Sequence, residues 1–426
     1  MATVAQRVEP TEDPGQIPER KLVAYIGTYP PQECGIATFT LDVVNATDIS
    51  GWGSVVAAIS GDCTSDEEQD SKQVYTIERD NSDDYARAAK FLSDLGADLL
   101  CIEHEYGIFG GDHGEYVTRI AETSRVPVIV TLHTVLPNPS GPQKRIIQDL
   151  AKYVSRFVVM AEKAKQLLPD VYGVPVEKIC TIPHGAPDVF LESESAVKES
   201  FGLSGKKVLS TFGLIAPSKG IEDAIAALPA VVEKEPNTIY LVLGATHPTV
   251  KRREGEAYRR SLEAQVNELG LQDHVRFVNK FLTVQELIDY LLATDIYITP
   301  YYTNPHQITS GTLAYAMATG RVIVSTPYLY AEELLSNGRG FLYPFRDTAA
   351  LSATLSRLLT DKELFDKTKR VAYGFGRNMT WPCVGLQYVH LYRDVLKEHG
   401  VDPGPEPEAY VTAGYRSIVR QMMSES

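Results

Sequence analysis

The stretch KKVLSTFGLIAPSKGIEDAIAAL (residues 206–228) contains the pattern that decides the fold. Its apolar run VLSTF ends in a glycine loop, and that loop leads into a segment whose apolar residues recur every three or four positions. The run is typical of a buried strand, and the spacing is typical of an amphipathic helix. A strand, a loop and a helix in this order form the repeating unit of a parallel sheet covered by helices.

The same unit recurs along most of the chain. From Lys21 onward, apolar β-branched runs alternate with helical stretches, and the alternation starts afresh after a polar link between Asp188 and Gly205. We therefore predict an α/β protein with two facing, Rossmann-like, doubly wound parallel-sheet domains, over residues 21–195 and 206–382. The predicted strands are KLVAYIGTY, SVVAAIS, DLLCIEH, VPVIVTLHT, RFVVMA and KICTIPH in the first domain, and KKVLSTFG, TIYLVLGAT, VRFVNKF, DIYITPYY, RVIVSTP and GFLYPF in the second.

The two ends of the chain differ from its body. Residues 1–20 are rich in Pro, Glu and Asp and lack the apolar core of a signal peptide, so they predict a disordered leader. The segment from about Asp361 to His399 has a helical period with a kink near Pro382. We expect residues 383–426 to pack back on the first domain.

Composition limits the classes of function. A hydrophobic fraction of 44% without any apolar run of about 20 residues argues against a membrane span. The formal charge of −14 argues against nucleic acid or an anionic membrane as the main partner. The cysteines are odd in number and scattered, which fits neither a disulfide framework nor a zinc site and favours a cytoplasmic protein. These cysteines are Cys34, Cys63, Cys101, Cys180 and Cys383. The sequence leaves the oligomeric state open, and a homo-oligomer is possible.

Two glycine loops are candidates for binding an anion. In open parallel sheets, ligands bind beyond the carboxyl ends of the strands, where helix N-termini offer free N–H groups. Gly35 opens a predicted helix after the first strand, and Lys219 with Gly220 opens another after the first strand of the second domain. The structural alternatives are a tight turn at Gly35 and a solvated lysine at a helix entry.

Four histidines also follow strands, and each could donate to sugar hydroxyls or phosphate oxygens. They are His104, His133, His184 and His247. A single histidine at a strand end is usually a structural residue, but four at edges facing one cleft favour a site. Carboxylates placed for general acid work are Glu33, Glu103 and Glu105, although solvation is the alternative for at least one of them. No metal site is predicted, because the spacing around Asp112 and His113 matches no ligand pattern.

The stretch HQITSGTLAYAMATGRVIVSTPY (residues 306–328) predicts another helix and a buried strand. The helix should start at Ser310 and Gly311 and end at Gly320. Its start, with Thr312 in the first turn, predicts a second anion-binding helix N-terminus.

Several of these stretches together resemble the retaining glycosyltransferases of family 4, whose fold is GT-B. The resemblance covers nearly the whole chain from Lys21 to about His399. The stretches that carry it are PPQECGIATFTLDV, VPVIVTLHT, TIPHGAPDVF, GLIAPSKGIEDAIAAL and AYAMATGRVIVSTPYLYAEELLSNGRGFLYPF.

The resemblance implies a hexosyltransferase (EC 2.4) that keeps the anomeric configuration and uses neither metal nor other cofactor. The second domain would hold a nucleotide-sugar or sugar-phosphate donor, and the first would seat a carbohydrate acceptor. His133 would meet the sugar near the reacting centre. The donor's phosphate would contact Gly35, Gly213, Lys219, Ser310, Gly311 and Thr312.

The chain departs from the family pattern at three positions. Leu214 follows Gly213 where the family commonly has an arginine, and Gln307 and Tyr315 replace two glutamates that face the sugar and the ribose. Gln307 can still donate and accept toward sugar hydroxyls. Three functions therefore remain open: a nucleotide-sugar transferase with an altered ribose pocket, a glycoside phosphorylase using phosphate and a sugar 1-phosphate, and a non-catalytic carbohydrate-binding relative.

Overall fold

A computed structural model of the protein describes residues 20–32, 34–61, 70–189, 194–302, 308–404 and 406–407. The predicted leader falls almost entirely outside these ranges, as do residues 408–426 of the predicted C-terminal segment. The elements of the first half are β1 Leu22–Gly27, α1 Gly35–Ile49, β2 Gly53–Ile59, β3 Gln73–Ile77, α2 Ser82–Asp94, β4 Leu99–His104, α3 Val117–Thr123, β5 Val128–Leu132, α4 Gly141–Tyr153, β6 Arg156–Val159, α5 Glu162–Leu167 and β7 Ile179–Thr181.

The second half repeats the alternation and closes with three helices. Its elements are α6 Glu194–Ser200, β8 Lys207–Phe212, α7 Ile221–Lys234, β9 Thr238–Leu243, α8 Pro248–Glu254, α9 Ala257–Glu268, β10 Val275–Val278, α10 Val284–Ala293, β11 Ile296–Thr299, α11 Gly311–Ala318, β12 Val322–Ser325, α12 Leu329–Leu334, β13 Phe341–Leu342, α13 Thr348–Thr360, α14 Lys362–Gly376 and α15 Trp381–Glu398.

The strands form two parallel sheets, one in each half. Their orders are β3-β2-β1-β4-β5-β6-β7 and β10-β9-β8-β11-β12-β13. Strands such as β4 and β9 are buried along their whole length, because helices cover both faces of each sheet. The predicted fold class, with two Rossmann-like parallel-sheet domains, is confirmed.

Each sheet has one point where the strand order reverses. β1 pairs with β2 on one side and β4 on the other, and β8 pairs with β9 and β11 in the same way. The loops that follow these central strands therefore diverge to opposite faces and leave a crevice between them. This topology places the loops after β1 and β4 opposite those after β8 and β11.

The sequence analysis did not predict one of the strands. β3 lies at the edge of the first sheet, and four of its five residues are partly or fully exposed. Its sequence QVYTI therefore lacks the continuous apolar run that marks the buried strands. The other predicted strands are all present.

The C-terminal helix α15 crosses back to the first domain, where it packs on α1. Two buried hydrogen bonds join it to the first sheet, from Tyr392 to Tyr25 at 2.9 Å between hydroxyls and from Tyr388 to Thr131 at 3.1 Å. The break before α15 falls at Arg377–Met379, so Pro382 lies in the first turn of the new helix, where its missing N–H costs nothing. Among the described residues, no helix is both long and apolar enough to cross a membrane.

Candidate active site

A cavity of about 500 Å³ lies where the carboxyl ends of the two sheets face each other. Residues from both domains line it, as the topology requires. The lining residues are Gly35, Ile36, Thr38, Phe39, Asp42, Glu105, His133, Thr134, His184, Phe212, Thr309, Gly311, Thr312 and Tyr315.

Helix α1 presents its N-terminus and one polar face to this cleft. Cys34 caps the helix, because its Sγ accepts a hydrogen bond from the Ala37 N–H at 3.3 Å. Nothing lies within 4 Å of where a side chain at Gly35 would begin, so the glycine leaves the helix start open. Thr38 and Asp42 follow at helical spacing on the same face.

Helix α11 presents a second N-terminus from the other domain. The Ser310 hydroxyl accepts from the Leu313 N–H at 3.3 Å, as expected of an N-cap. The N–H groups of Gly311 and Thr312 have no carbonyl within the helix to bind and lie at the cleft. Two positive helix ends therefore face one cavity, which suits an anion.

Lys219 is not among the described residues that line the cavity, but one tyrosine ring links its charge to the second N-terminus. It lies in the short turn Pro217–Lys219 after β8, and its Nζ stands 4.0 Å from the centre of the Tyr301 ring. The Tyr301 hydroxyl lies 3.4 Å from the Thr312 hydroxyl, so the ring connects the lysine to the start of α11. Within the described chain Lys219 forms no ion pair, which leaves its charge for a ligand.

Gly213 serves the close packing of loops. Its φ of +132° suits glycine, and a side chain at the neighbouring Gly244 would begin only 2.1 Å from the Gly213 oxygen. Its own α-carbon faces the methyl group of Thr312, 3.7 Å from where a side chain would start. The positive φ, and not the contact with Thr312, is therefore what favours glycine at this position.

His133 directly follows β5 and lines the cleft with only 8% of its surface exposed. Its Nε2 lies 2.9 Å from an Oε2 of Glu103, a carboxylate that is fully buried at the end of β4. A carboxylate can only accept here, so Nε2 carries the proton and Nδ1 is the nitrogen left for a ligand. Glu103 thus orients His133 and does not reach the cleft, contrary to the expectation that it contacts sugar.

Glu105 lies in the cleft wall beside His133. One of its carboxylate oxygens accepts from the Thr134 hydroxyl at 2.5 Å, and the other accepts from the Tyr106 N–H at 2.9 Å. Both oxygens are therefore held in place, as a carboxylate that positions a ligand hydroxyl would need.

The structure does not bring His104 to the cleft, contrary to the sequence-based expectation. The ring is fully buried, stacked with Phe109 at 5.9 Å between centroids, and neither ring nitrogen has a hydrogen-bond partner. Burial, with the nearby His133, lowers the pKa of His104 to about 3. It is a neutral core histidine because β4 is covered on both faces.

His184 lies at the cleft where the chain leaves the first domain. Its Nδ1 is 2.7 Å from the Gly185 carbonyl oxygen, so Nδ1 carries the proton. Burial lowers the pKa of this histidine to about 4, with the Gly185 hydrogen bond opposing the shift. At neutral pH its Nε2 is therefore a hydrogen-bond acceptor, and the expectation that it donates to phosphate is corrected.

His247 lies beside Lys219 and outside the cleft lining. Its Nδ1 accepts from the Thr249 N–H at 3.2 Å and caps α8. Burial and then the charges of Lys219 and Arg252 lower its pKa. His247 was expected to contact a ligand because it follows a strand. In the structure it caps a helix instead.

Sequence reasoning missed the carboxylate of Asp42. The Tyr315 hydroxyl donates to its Oδ2 at 3.4 Å, which joins α11 of the second domain to α1 of the first. Burial raises the pKa of Asp42 to about 6, against the opposing effect of Tyr315 and Trp381. The available signal was the helical spacing of Gly35, Thr38 and Asp42, which puts all three on one face.

Two predicted site residues, Glu33 and Gln307, lie outside the described residues. Within the ranges that the structure covers, no group of three or more His, Cys, Asp or Glu side chains could hold a metal ion.

Two facing parallel-sheet domains with a cleft between them are the architecture of GT-B glycosyltransferases. Residues 35–188 match the family described as Glycosyltransferase Family 4, and residues 193–375 match Glycosyl transferases group 1. Together the two matches span both domains. The protein therefore belongs to the family 4, group 1 glycosyltransferases.

Named relatives are distant. The chain is 25% identical over 291 residues to the D-inositol 3-phosphate glycosyltransferase of Corynebacterium efficiens, covering 63% of this chain and 66% of that protein. It is 27% identical over 317 residues to the phosphatidyl-myo-inositol mannosyltransferase of Mycobacterium leprae, covering 73% of this chain and 77% of that one. The alignment thus spans just under two thirds of the first of these relatives.

Solved structures share the fold at low identity. The Anabaena Alr3699/HepE structure in complex with UDP and glucose has a TM-score of 0.68 at 16% identity, covering 87% of this chain and 99% of that one. At this identity the likeness concerns the fold alone.

Proposed function

We propose that this protein transfers a sugar from a nucleotide-sugar donor to a carbohydrate or other small acceptor, with retention of the anomeric configuration. One observation carries the proposal. The N-termini of α1 and α11 face one cleft from different domains, and the Tyr301 ring links the second to Lys219, which has no ion-pair partner in the described chain. These donors suit the phosphate groups of an activated sugar.

In the proposed step the bond between the anomeric carbon and the phosphate oxygen breaks, and a bond to the acceptor oxygen forms. The acceptor's proton passes to the departing phosphate oxygen. Lys219 and the N–H groups of Gly311 and Thr312 would stabilise the negative charge that develops on that phosphate. His133 would hold the sugar by accepting a hydrogen bond from a sugar hydroxyl at Nδ1. Glu103 would fix the orientation of the imidazole ring for this contact.

The carboxylates of the cleft wall bear on how the anomeric configuration would be retained. Asp42 and Glu105 are the carboxylates among its described lining residues, and each already accepts a hydrogen bond from a neighbouring side chain. These contacts fix Asp42 and Glu105 as groups that orient a ligand, and we assign neither of them the role of a nucleophile in a double displacement. We propose instead that the acceptor enters on the face that the phosphate leaves.

The test begins with binding. Calorimetry with UDP, GDP, ADP and CDP should show binding of at least one nucleotide, and the matching nucleotide sugar should be consumed in the presence of an acceptor screen. Proton NMR of the product should show an α-anomer from an α-linked donor. A β-linked product, or the absence of measurable binding for all four nucleotides, would contradict the proposal.

A second reaction, phosphorolysis of a glycoside, is favoured by one observation. Helix α11 carries no carboxylate between Gly311 and Ala318, so its N-terminus would accept free phosphate without repulsion from its own side chains. Binding of inorganic phosphate and glucose 1-phosphate, with no binding of nucleotides, would select this reaction.

A further inference from the structure

A corner of the cleft is built from three polar groups that the two domains share. Asp42 comes from α1, Tyr315 from α11, and His184 from the segment after β7, and all three line the cavity. The Tyr315 hydroxyl is 3.4 Å from Asp42, and the rings of His184 and Tyr315 lie 6.3 Å apart.

This corner is separated from His133 by Phe39. The Phe39 ring lies edge-on to His133 at 4.7 Å and to His184 at 5.1 Å between centroids. The Phe39 ring therefore contacts both histidines that line the cavity, and the start of α11 lies against His184. A donor whose sugar meets His133 would place another of its parts in the corner.

The polar atoms of the corner mainly accept hydrogen bonds. His184 presents Nε2 as an acceptor, because its Nδ1 donates to the Gly185 carbonyl. A side chain at residue 311 would begin 3.0 Å from that Nε2, so Gly311 is what leaves it uncovered. Tyr315 contacts one oxygen of Asp42, so the carboxylate keeps further lone pairs for a ligand.

Asp42 and His184 offer acceptors that border the same cavity, which fits a group that donates two neighbouring hydrogen bonds. Tyr315 lies one helical turn beyond the phosphate-binding start of α11, a distance of about 6 Å along the axis. In a nucleotide, the part attached directly to the phosphate is the ribose, whose 2′- and 3′-hydroxyls are such a pair of donors.

We propose that Asp42 and His184 bind the ribose hydroxyls of the donor nucleotide. Position 315 of α11 holds a tyrosine where the family pattern has a glutamate. Asp42 of the first domain then supplies the carboxylate in its place. The inference rests on the proposed nucleotide-sugar function and assigns specificity within it. It also means that the nucleotide contacts both domains, so that binding favours their closed arrangement.

The test compares nucleotides that differ by one hydroxyl. Calorimetry should give a dissociation constant at least tenfold lower for UDP than for 2′-deoxy-UDP, because the corner's acceptors lose a partner in the second. If UDP does not bind, the same comparison is made with GDP, ADP or CDP and its deoxy form. Asp42→Ala should weaken the ribonucleotide about tenfold or more and abolish the discrimination.

Asp48→Asn is the matched control, since Asp48 lies on the same helix but pairs with Lys72 and Ser54 outside the cleft. It should leave both dissociation constants unchanged, and the unfolding temperatures of both variants should show that they fold. Nucleotide binding without discrimination, or equal losses for both nucleotides in Asp42→Ala, would overturn the inference alone. Absence of any nucleotide binding would overturn the proposed donor class and the inference with it.

Discussion

Lys219 is the residue on which phosphate stabilisation should depend most. Lys219→Ala should lower kcat about 100-fold or more while KM changes less, because the ammonium group acts mainly on charge that develops during the reaction. Steady-state kinetics with the identified donor measures this effect. Lys251→Ala, which removes an exposed lysine from α8, is the control and should be neutral. Unchanged turnover in Lys219→Ala would contradict a role of this lysine in stabilising the phosphate.

Tyr301 is a positioning residue that no sequence pattern marked. Its ring is buried, stacks on Tyr328 at 5.7 Å between centroids, and lies under the Lys219 ammonium. A cation–π contact contributes about 0.5–2 kcal/mol, so Tyr301→Leu should lower kcat about tenfold by releasing the lysine. Tyr301→Phe keeps the ring face and should lose less than threefold. Equal losses in the two variants would assign the effect to the hydroxyl and its contact with Thr312.

At the scale of the element, a histidine at the end of a strand can have the sequence pattern of a site residue without lying in the site. His104 is the last residue of β4 and His133 directly follows β5, yet of the two only His133 lines the cleft. The difference lies in the layer of helices and loops over β4, which encloses the His104 ring between Phe109 and Tyr106. A histidine at a strand end is therefore a site residue only where that layer is open.

The buried His104 predicts a pH dependence of stability. Its pKa is about 3 in the folded state and near 6.5 when unfolded, so the unfolded state binds more protons as pH falls. Stability from this group is therefore present above pH 6.5 and falls below it, by about 2 kcal/mol between pH 7 and pH 5.

His104→Phe should keep the ring packing and remove that loss. Denaturant unfolding at pH 7 and pH 5 should give a smaller difference for the variant than for the natural protein, and turnover should stay the same. A tenfold fall in kcat/KM would instead place His104 in the site.

At the scale of the whole molecule, contacts on several different elements join the domains. Tyr315 reaches Asp42 across the cleft, and Glu333 of α12 accepts hydrogen bonds from the N–H groups of Glu162 and Lys163 at 2.8 and 3.0 Å. The second contact places a carboxylate on the N-terminus of α5, where the helix dipole favours it. Both contacts hold the arrangement in which the cleft is formed.

Glu333→Ala should weaken that arrangement by about 1 kcal/mol, a shift of about fivefold between closed and open forms. Because domain closure excludes water, the ratio of donor hydrolysis to sugar transfer should rise. Parallel assays of free sugar and transfer product measure it. Glu332→Ala, on the same helix, is the control, and an equal change in both variants would remove Glu333 from domain closure.

The sequence by itself determined the two parallel sheets, the helix starts at Gly35 and Ser310, and the loops in which a ligand would bind. These features are local, because apolar spacing and capping residues decide strands and helix ends within one segment. The same local reasoning selected Lys219 and His133 as candidates, and His133 lines the cavity. It missed the edge strand β3, whose exposure removes the apolar signal.

Only the tertiary structure decided which of the candidate side chains meet. Asp42 and Tyr315 are 273 residues apart, and Glu103 is turned to His133 while His104, its neighbour, is enclosed in the core. These outcomes depend on strand order, on the layer over each sheet and on the approach of two domains. No pattern within a single segment carries that information, because the partners come from segments that are distant in sequence.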